Sequence, residues 1–158
     1  MKVDFKYDRI RPAIEIPEGL ILIQDTREQK PLFKTTDWIV DKKLDYGDYS
    51  IVGFEDRITI ERKSIPDLFG SLGKGRKRFD KELIVLSQYD WAGLMIEGPE
   101  SKVMTPQQWS TMIPNQIYHA ISSIEIRGIH VCYADKVGIA RDWVLSRLTR
   151  YYTHARRV

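Results

Sequence analysis

The sequence predicts an α/β fold, a mixed β-sheet flanked by helices in a single domain. Three observations predict it. Short apolar runs alternate with helical patterns through most of the chain. Two of those runs lie close enough together to form a hairpin, which makes that part of the sheet antiparallel. The later runs are separated by helix-length segments, as parallel neighbours require. The size agrees, because 158 residues with 42% hydrophobic and 30% charged side chains suit one globular domain with its own core.

Taken in order, residues 1–18 read as an extended N-terminal arm, because Pro12 and Pro17 argue against a helix crossing them. The domain proper is expected over 19–158. Gly19 opens Leu20-Ile21-Leu22-Ile23, a continuous apolar run that fits a strand buried on both faces. It ends in Gln24-Asp25-Thr26-Arg27-Glu28, where a sheet edge could deliver polar groups. Pro31 to Asp37 reads as a loop, and Trp38-Ile39-Val40 as a second strand. The hairpin follows, with strands Tyr49–Val52 and Ile58–Ile60 around the loop 53–57. Ser64-Ile65-Pro66-Asp67 resembles a capping box with proline in the first turn, so a helix is expected over 65–72. Gly73-Lys74-Gly75 breaks it. A second helix starts near Arg76 with Phe79, Leu83 and Leu86 as its apolar stripe. Leu94-Met95-Ile96 is the next strand.

Thr105-Pro106-Gln107-Gln108 reads as another helix start. Pro114 is expected to interrupt that helix and Asn115 to cap a new one reaching about Arg127, with Gly128 as its left-handed stop. Ile129 to Tyr133 is the last strand. Asp135 is expected to cap a long final helix with Val137, Ala140, Val144, Leu148 and Tyr151 on one face; Trp143 and Leu145 suggest that it buries more than one.

Composition excludes several classes. One cysteine, Cys132, leaves no intrachain disulfide or Cys-based zinc site, and the simple expectation is a reducing, intracellular home. The N-terminus lacks the apolar core of a signal peptide, and no apolar run is long enough to span a membrane. The three histidines have no ligand spacing. Gly75-Arg76 lacks the Lys and Ser/Thr of a Walker motif, and no Gly-x-Ser-x-Gly is present. The net charge is only +3, but its distribution is uneven: Lys74, Arg76, Lys77, Arg78 and Lys81 form one cluster, and Arg141, Arg147, Arg150, Arg156 and Arg157 another. Such clusters are candidate phosphate contacts or solvated helix faces.

The hairpin carries the chemistry. A turn centred between Phe54 and Glu55 sets Asp48 opposite Glu61, with Cβ atoms about 4.5–5.5 Å apart. Lys63 points to the same face and Arg62 to the other. Two carboxylates and an amine on one sheet face are costly to hold, and a divalent cation would offset the cost. Two acids supply hard oxygen ligands; a cation there suits phosphodiester hydrolysis, and a lysine can orient water or balance charge on phosphorus.

The spacing Gly47-Asp48, twelve residues, Glu61-Arg62-Lys63, three residues, Asp67 resembles the signature of the XPF family of structure-specific endonucleases, whose nuclease domain has a restriction-endonuclease-like fold. Asp25-Thr26-Arg27-Glu28, Ser64 to Leu72, Gly75 to Phe79 and Leu94 to Gly98 extend the likeness over roughly residues 20–145. The resemblance implies a Mg²⁺- or Mn²⁺-dependent endodeoxyribonuclease acting on branched or flap-like DNA in repair, recombination or replication. It implies Asp25, Asp48 and Glu61 as metal ligands and Asp25, Asp48, Glu61, Arg62, Lys63 and Asp67 as the catalytic set. Arg27, Lys74, Arg76, Lys77 and Arg78 are the expected DNA contacts. Family members usually carry tandem helix-hairpin-helix modules, and none is expected in this sequence. The resemblance also implies a homodimer or a DNA-binding partner protein, and an intracellular, DNA-associated location. The alternatives are a catalytically silent DNA-binding or dimerisation scaffold of the same fold, and a junction resolvase or recombination nuclease.

Overall fold

A computed structural model describes residues 2–3 and 13–156. Two short strands, β1 (Lys2–Val3) and β2 (Ile14–Glu15), pair antiparallel. A six-stranded sheet follows, built from β3 (Leu22–Gln24), β4 (Ile39–Asp41), β5 (Tyr49–Ile51), β6 (Ile58–Ser64), β7 (Trp91–Glu97) and β8 (Ile129–Tyr133), in the order β4-β3-β5-β6-β7-β8. The β3–β5 and β5–β6 pairs are antiparallel, while β3–β4, β6–β7 and β7–β8 are parallel. This is the mixed sheet the alternation predicts.

The helices are α1 (Ile65–Leu72), α2 (Arg76–Leu86), α3 (Glu100–Val103), α4 (Pro114–Ile126) and α5 (Val137–Ala155). They make two apolar layers on opposite faces of the sheet. One layer packs α1, α2 and α4 on Ala92, Leu94 and Ile96 of β7. The other packs α5 on Leu22, Tyr49, Ile51, Ile58, Ile60 and Met95. The period-2 alternation of strands sends Leu94 and Ile96 one way and Met95 the other. Gly93 faces the α5 layer, and a Cβ there would lie 2.5 Å from the Trp143 ring, so only glycine lets that indole lie against β7. Helix α5 buries Trp143 and Leu145 together with Ala140, Val144 and Leu148, the wide burial expected of it.

Three local expectations are corrected, all outside the N-terminal arm, whose Ile16 is buried in the α5 layer with Ile14 packed against it. Residues 4–12 of the arm lie outside the described residues. No helix starts at Thr105. Its hydroxyl donates to Ser101 O, and the Gln107 amide folds back onto Lys102 O and Thr105 O. Trp109 meanwhile meets Phe69 of α1 edge-on at 5.3 Å. These bonds close a loop over α1 in place of a helical turn. Pro114 does not interrupt a helix; it begins α4, where a missing N–H costs nothing, and the Gln116 carboxamide accepts the Ile113 N–H at 3.1 Å. Finally, the cap position of α5 falls on Lys136 with no side-chain cap, one residue past Asp135.

Candidate active site

The site forms where β3, β5 and β6 end side by side. Gly47 sets it up. Its φ is +80°, and a Cβ at this position would stand 1.9 Å from Thr59 Oγ1. Only glycine tolerates both. The Thr59 hydroxyl can therefore donate to Tyr46 O at 2.9 Å, which pins the turn into β5. Tyr49 pairs with Ile60, the offset that places Asp48 opposite Glu61. Asp48 then closes the ladder with both backbone and side chain: its N–H donates to Ile60 O at 2.8 Å, and its Oδ2 accepts from Arg62 N at 2.7 Å. The Asp48 carbonyl accepts from Asp25 N at 2.8 Å, tying in the third strand.

Glu61 and Lys63 lie beside Leu94 and Ile96 of β7, so they face the α1–α2 layer. The Lys63 ammonium sits 4.9 Å from the centre of the Phe79 ring of α2 and 3.8 Å from Glu61 Oε1. Its side chain is only 12% exposed, so the ring and the carboxylate aim it. Burial, then the Glu61 charge, push the Asp48 carboxyl up to about 8 against the Arg62 N–H. Burial likewise pushes Glu61 up to about 7; Lys63 opposes this, and Glu82 and Glu28 add to it. Desolvated carboxylates that repel each other resist ionising together. Such a pair is suited to a divalent cation: the donors are hard oxygens, and Mg²⁺-like ions bind through one or two carboxylates while keeping several waters. Among the described residues no three His, Cys, Asp or Glu side chains form a metal-holding group.

Asp25 shows why. Its carboxylate is fully enclosed. Oδ1 accepts from Arg27 N and Nε, both at 2.8 Å, and Oδ2 accepts from Arg27 Nη2 at 3.1 Å and Leu44 N at 2.7 Å. Burial would raise its pKa, but the Arg27 guanidinium and these backbone N–H groups outweigh burial and hold it below the usual carboxylate range. Asp25 thus adjoins Asp48 through the backbone, while its oxygens organise Arg27 and the 42–46 segment. Arg27 also donates to Leu44 O at 2.8 Å, and its side chain is 61% exposed.

Arg62 points to the opposite face, as its parity requires. It binds Glu28 Oε2 at 2.8 Å and Lys30 O at 2.6 Å, and pairs with Glu97. The Tyr49 hydroxyl donates to the same Glu28 oxygen at 2.8 Å. Asp67 is exposed in the first turn of α1, and its N–H donates to the Ser64 hydroxyl at 3.2 Å. That is half of a capping box; no hydrogen bond or ion pair joins its carboxylate to the cluster among the described residues. Lys74, Arg76, Lys77 and Arg78 are exposed on the α1–α2 loop and the first turn of α2, with Arg76 paired to Asp80 at 3.0 Å and Arg78 to Glu82 at 3.5 Å. Sequence reasoning missed three contributors: the Phe79 seat for Lys63, Glu82 beside Glu61, and Glu97 as an anchor of Arg62. The spacing of Phe79 and Glu82 on one face of α2 carried a signal for the first two.

A family model for the ERCC4 domain matches residues 25–139. The chain belongs to the ERCC4 domain family. The match opens on Asp25 and takes in every residue described above as part of the site. Among solved structures, XPF from Aeropyrum pernix is similar at 22% identity with a TM-score of 0.62, over 84% of this chain and 64% of that one. The XPF from Aeropyrum pernix in complex with DNA is similar at the same identity and TM-score, over 86% of this chain and 66% of that one. This ERCC4 domain therefore has the XPF nuclease fold and spans just under two thirds of those chains. No curated protein matches it. Among the described residues no helix is long and apolar enough to cross a membrane.

Proposed function

We propose that this ERCC4 domain is a Mg²⁺- or Mn²⁺-dependent endonuclease that hydrolyses phosphodiester bonds in branched or flap-like DNA. One observation carries the reading: the repelling Asp48–Glu61 pair beside a lysine that packing has already aimed. A cation held by these two carboxylates would supply positive charge for the phosphoryl oxygens and would activate the attacking water. Lys63 is held by Phe79 and Glu61, so its ammonium loses little freedom when it orients water or balances charge developing on phosphorus. The Arg62 N–H fixes the Asp48 carboxylate, and the Arg62 side chain anchors that end of β6 through Glu28 and Glu97. Arg27, organised by Asp25, presents its exposed side to a flanking phosphate. Lys74, Arg76, Lys77 and Arg78 extend the phosphate contacts along the duplex. Asp67 acts through α1, whose first turn it helps to place after Lys63.

The reading includes a homodimer or a DNA-binding partner protein and an intracellular setting in DNA repair, recombination or replication. The decisive experiment incubates the protein with end-labelled flap, fork, duplex and single-stranded DNA, with and without Mg²⁺ or Mn²⁺. Metal-dependent incision that favours branched substrates, and is lost in Asp48→Ala and Glu61→Ala, is the expected result. No incision, or incision undiminished in those variants, overturns it. A junction resolvase would use the same residues and would show itself by its preference within the same panel.

A further inference from the structure

A second feature lies on the opposite face of the sheet. Trp91, the first residue of β7, stacks on His130 of β8 with ring centres 4.9 Å apart and planes 8° from parallel. Trp143 of α5 backs it at 5.6 Å. The two indoles share the space left by Gly93. The Arg147 guanidinium lies 5.3 Å over Trp143. Arg147 and Arg150, one turn apart on α5, line an open depression of about 520 Å³ with Trp91 and Tyr151, and a neighbouring one of about 410 Å³ shares Trp91 and Arg147. His130 and both arginines are exposed. Neither arginine is ion-paired among the described residues. The nearby acid Asp90 is already held by Arg57 at 2.9 Å and by the Tyr151 hydroxyl at 2.6 Å, and Glu125 is the acid that lines the second depression.

We propose that this aromatic and basic depression is a second nucleic-acid surface, which holds an unpaired DNA strand by base stacking on the His130–Trp91 pair and phosphate contacts from Arg147 and Arg150. An aromatic stack with one open face offers a platform to a base. A duplex keeps its base faces covered, so it cannot use such a platform. Two exposed guanidiniums beside that stack, with no ion pair among the described residues, complete the combination by which single strands are held. The surface is remote from the cluster: Glu61 is level with Leu94, three residues or about 10 Å along β7, and points into the other layer. The occupant rests on the nuclease reading, in which a branched substrate carries an unpaired arm.

The test measures binding in EDTA, so it is independent of cleavage. Fluorescence anisotropy with a labelled oligothymidylate and a labelled duplex is compared at two salt concentrations. Arg147→Gln with Arg150→Gln, both solvent-facing changes, should weaken single-strand affinity about tenfold and reduce the salt slope by about 1.4, the value for two phosphate contacts. Duplex affinity should stay unchanged. His130→Ala should weaken single-strand binding several-fold without altering the slope. Unchanged single-strand affinity in the double variant overturns the proposal. Equal losses on duplex and single strand also overturn it. So does a change in sedimentation mass with binding intact, which would make this face a contact between copies of the chain. Intact stacking-dependent binding without any metal-dependent incision would sink the nuclease reading and leave this surface standing.

Discussion

Replacing Asp48 by Asn should make the metal-free protein more stable while abolishing its activity. The Asn side-chain oxygen keeps the acceptor for Arg62 N, now 2.7 Å from Asp48 Oδ2, so the end of the ladder survives. What disappears is a charge that burial and Glu61 disfavour enough to move its pKa from 3.8 to about 8. Between those two values the folded protein holds a proton that the unfolded chain has lost. Stability of the wild type must therefore fall as pH rises from about 4 to 8, and this loss is absent below 4. At about 1.4 kcal/mol per tenfold change, the full shift corresponds to several kcal/mol. Relaxation and water entry reduce that, and a gain of about 2 kcal/mol at pH 8 is expected, or about 4–8 °C in Tm for a chain of this size. The assay is urea unfolding at pH 5, 6.5 and 8 in EDTA, repeated with Mn²⁺. Metal should restore the wild type, by about 2.7 kcal/mol at a hundredfold excess over Kd, and should leave the variant unmoved. If Asp48→Asn is the less stable protein at pH 8 in EDTA, or if Mn²⁺ stabilises both equally, the assignment of the repelling pair as the metal seat is refuted.

Other perturbations probe the parts around that pair. Gly47→Ala must force a positive φ and drive a Cβ into Thr59 Oγ1 at 1.9 Å, so a loss of about 2–3 kcal/mol is expected in urea midpoints, with cleavage falling too. Lys63→Met keeps the packing on Phe79 but removes the ammonium; incision should drop about a hundredfold with little change in Tm. Arg62→Lys cannot span Glu28, Lys30 O and Glu97 together, and leaving these half-buried acids underpaired should cost about 1–2 kcal/mol in equilibrium unfolding. For Asp25→Asn, the four donors on its carboxylate point to a fold-organising role, so a stability loss of about 2 kcal/mol should accompany any fall in Mn²⁺ affinity; calorimetric titration showing lost affinity at unchanged stability would make it a direct ligand instead.

Much of this molecule is legible in its sequence, because the governing interactions are local. The stripe Phe79, Leu83 and Leu86 fixes the buried face of α2. Ser64 and Pro66 mark the start of α1, and Gly128 the end of α4. The turn chemistry around Gly53 fixes the hairpin offset, and through it the approach of Asp48 to Glu61. Where the prediction failed, distant contacts had overridden local chemistry. Thr105 has the signature of a helix cap, yet Trp109 packing on Phe69 and the folded-back Gln107 leave it in a loop. The sequence leaves open where the N-terminal arm packs, and α5 gives Ile16 a place in the core.

The same division holds within the site. Residue type, spacing and strand period were enough to put two acids and a lysine on one face and Arg62 on the other, because side chains alternate along any strand. Only the tertiary structure decided what surrounds those groups. It enclosed the Asp25 carboxylate in hydrogen bonds from Arg27 and Leu44. It brought Phe79 under Lys63 and Glu97 against Arg62 from elements 16 and 35 residues further along the chain. It also brought Asp48 and Glu61 together half-buried, where their charges repel. Burial and cross-element contact are properties of how layers close on one another, and no window of local sequence contains them.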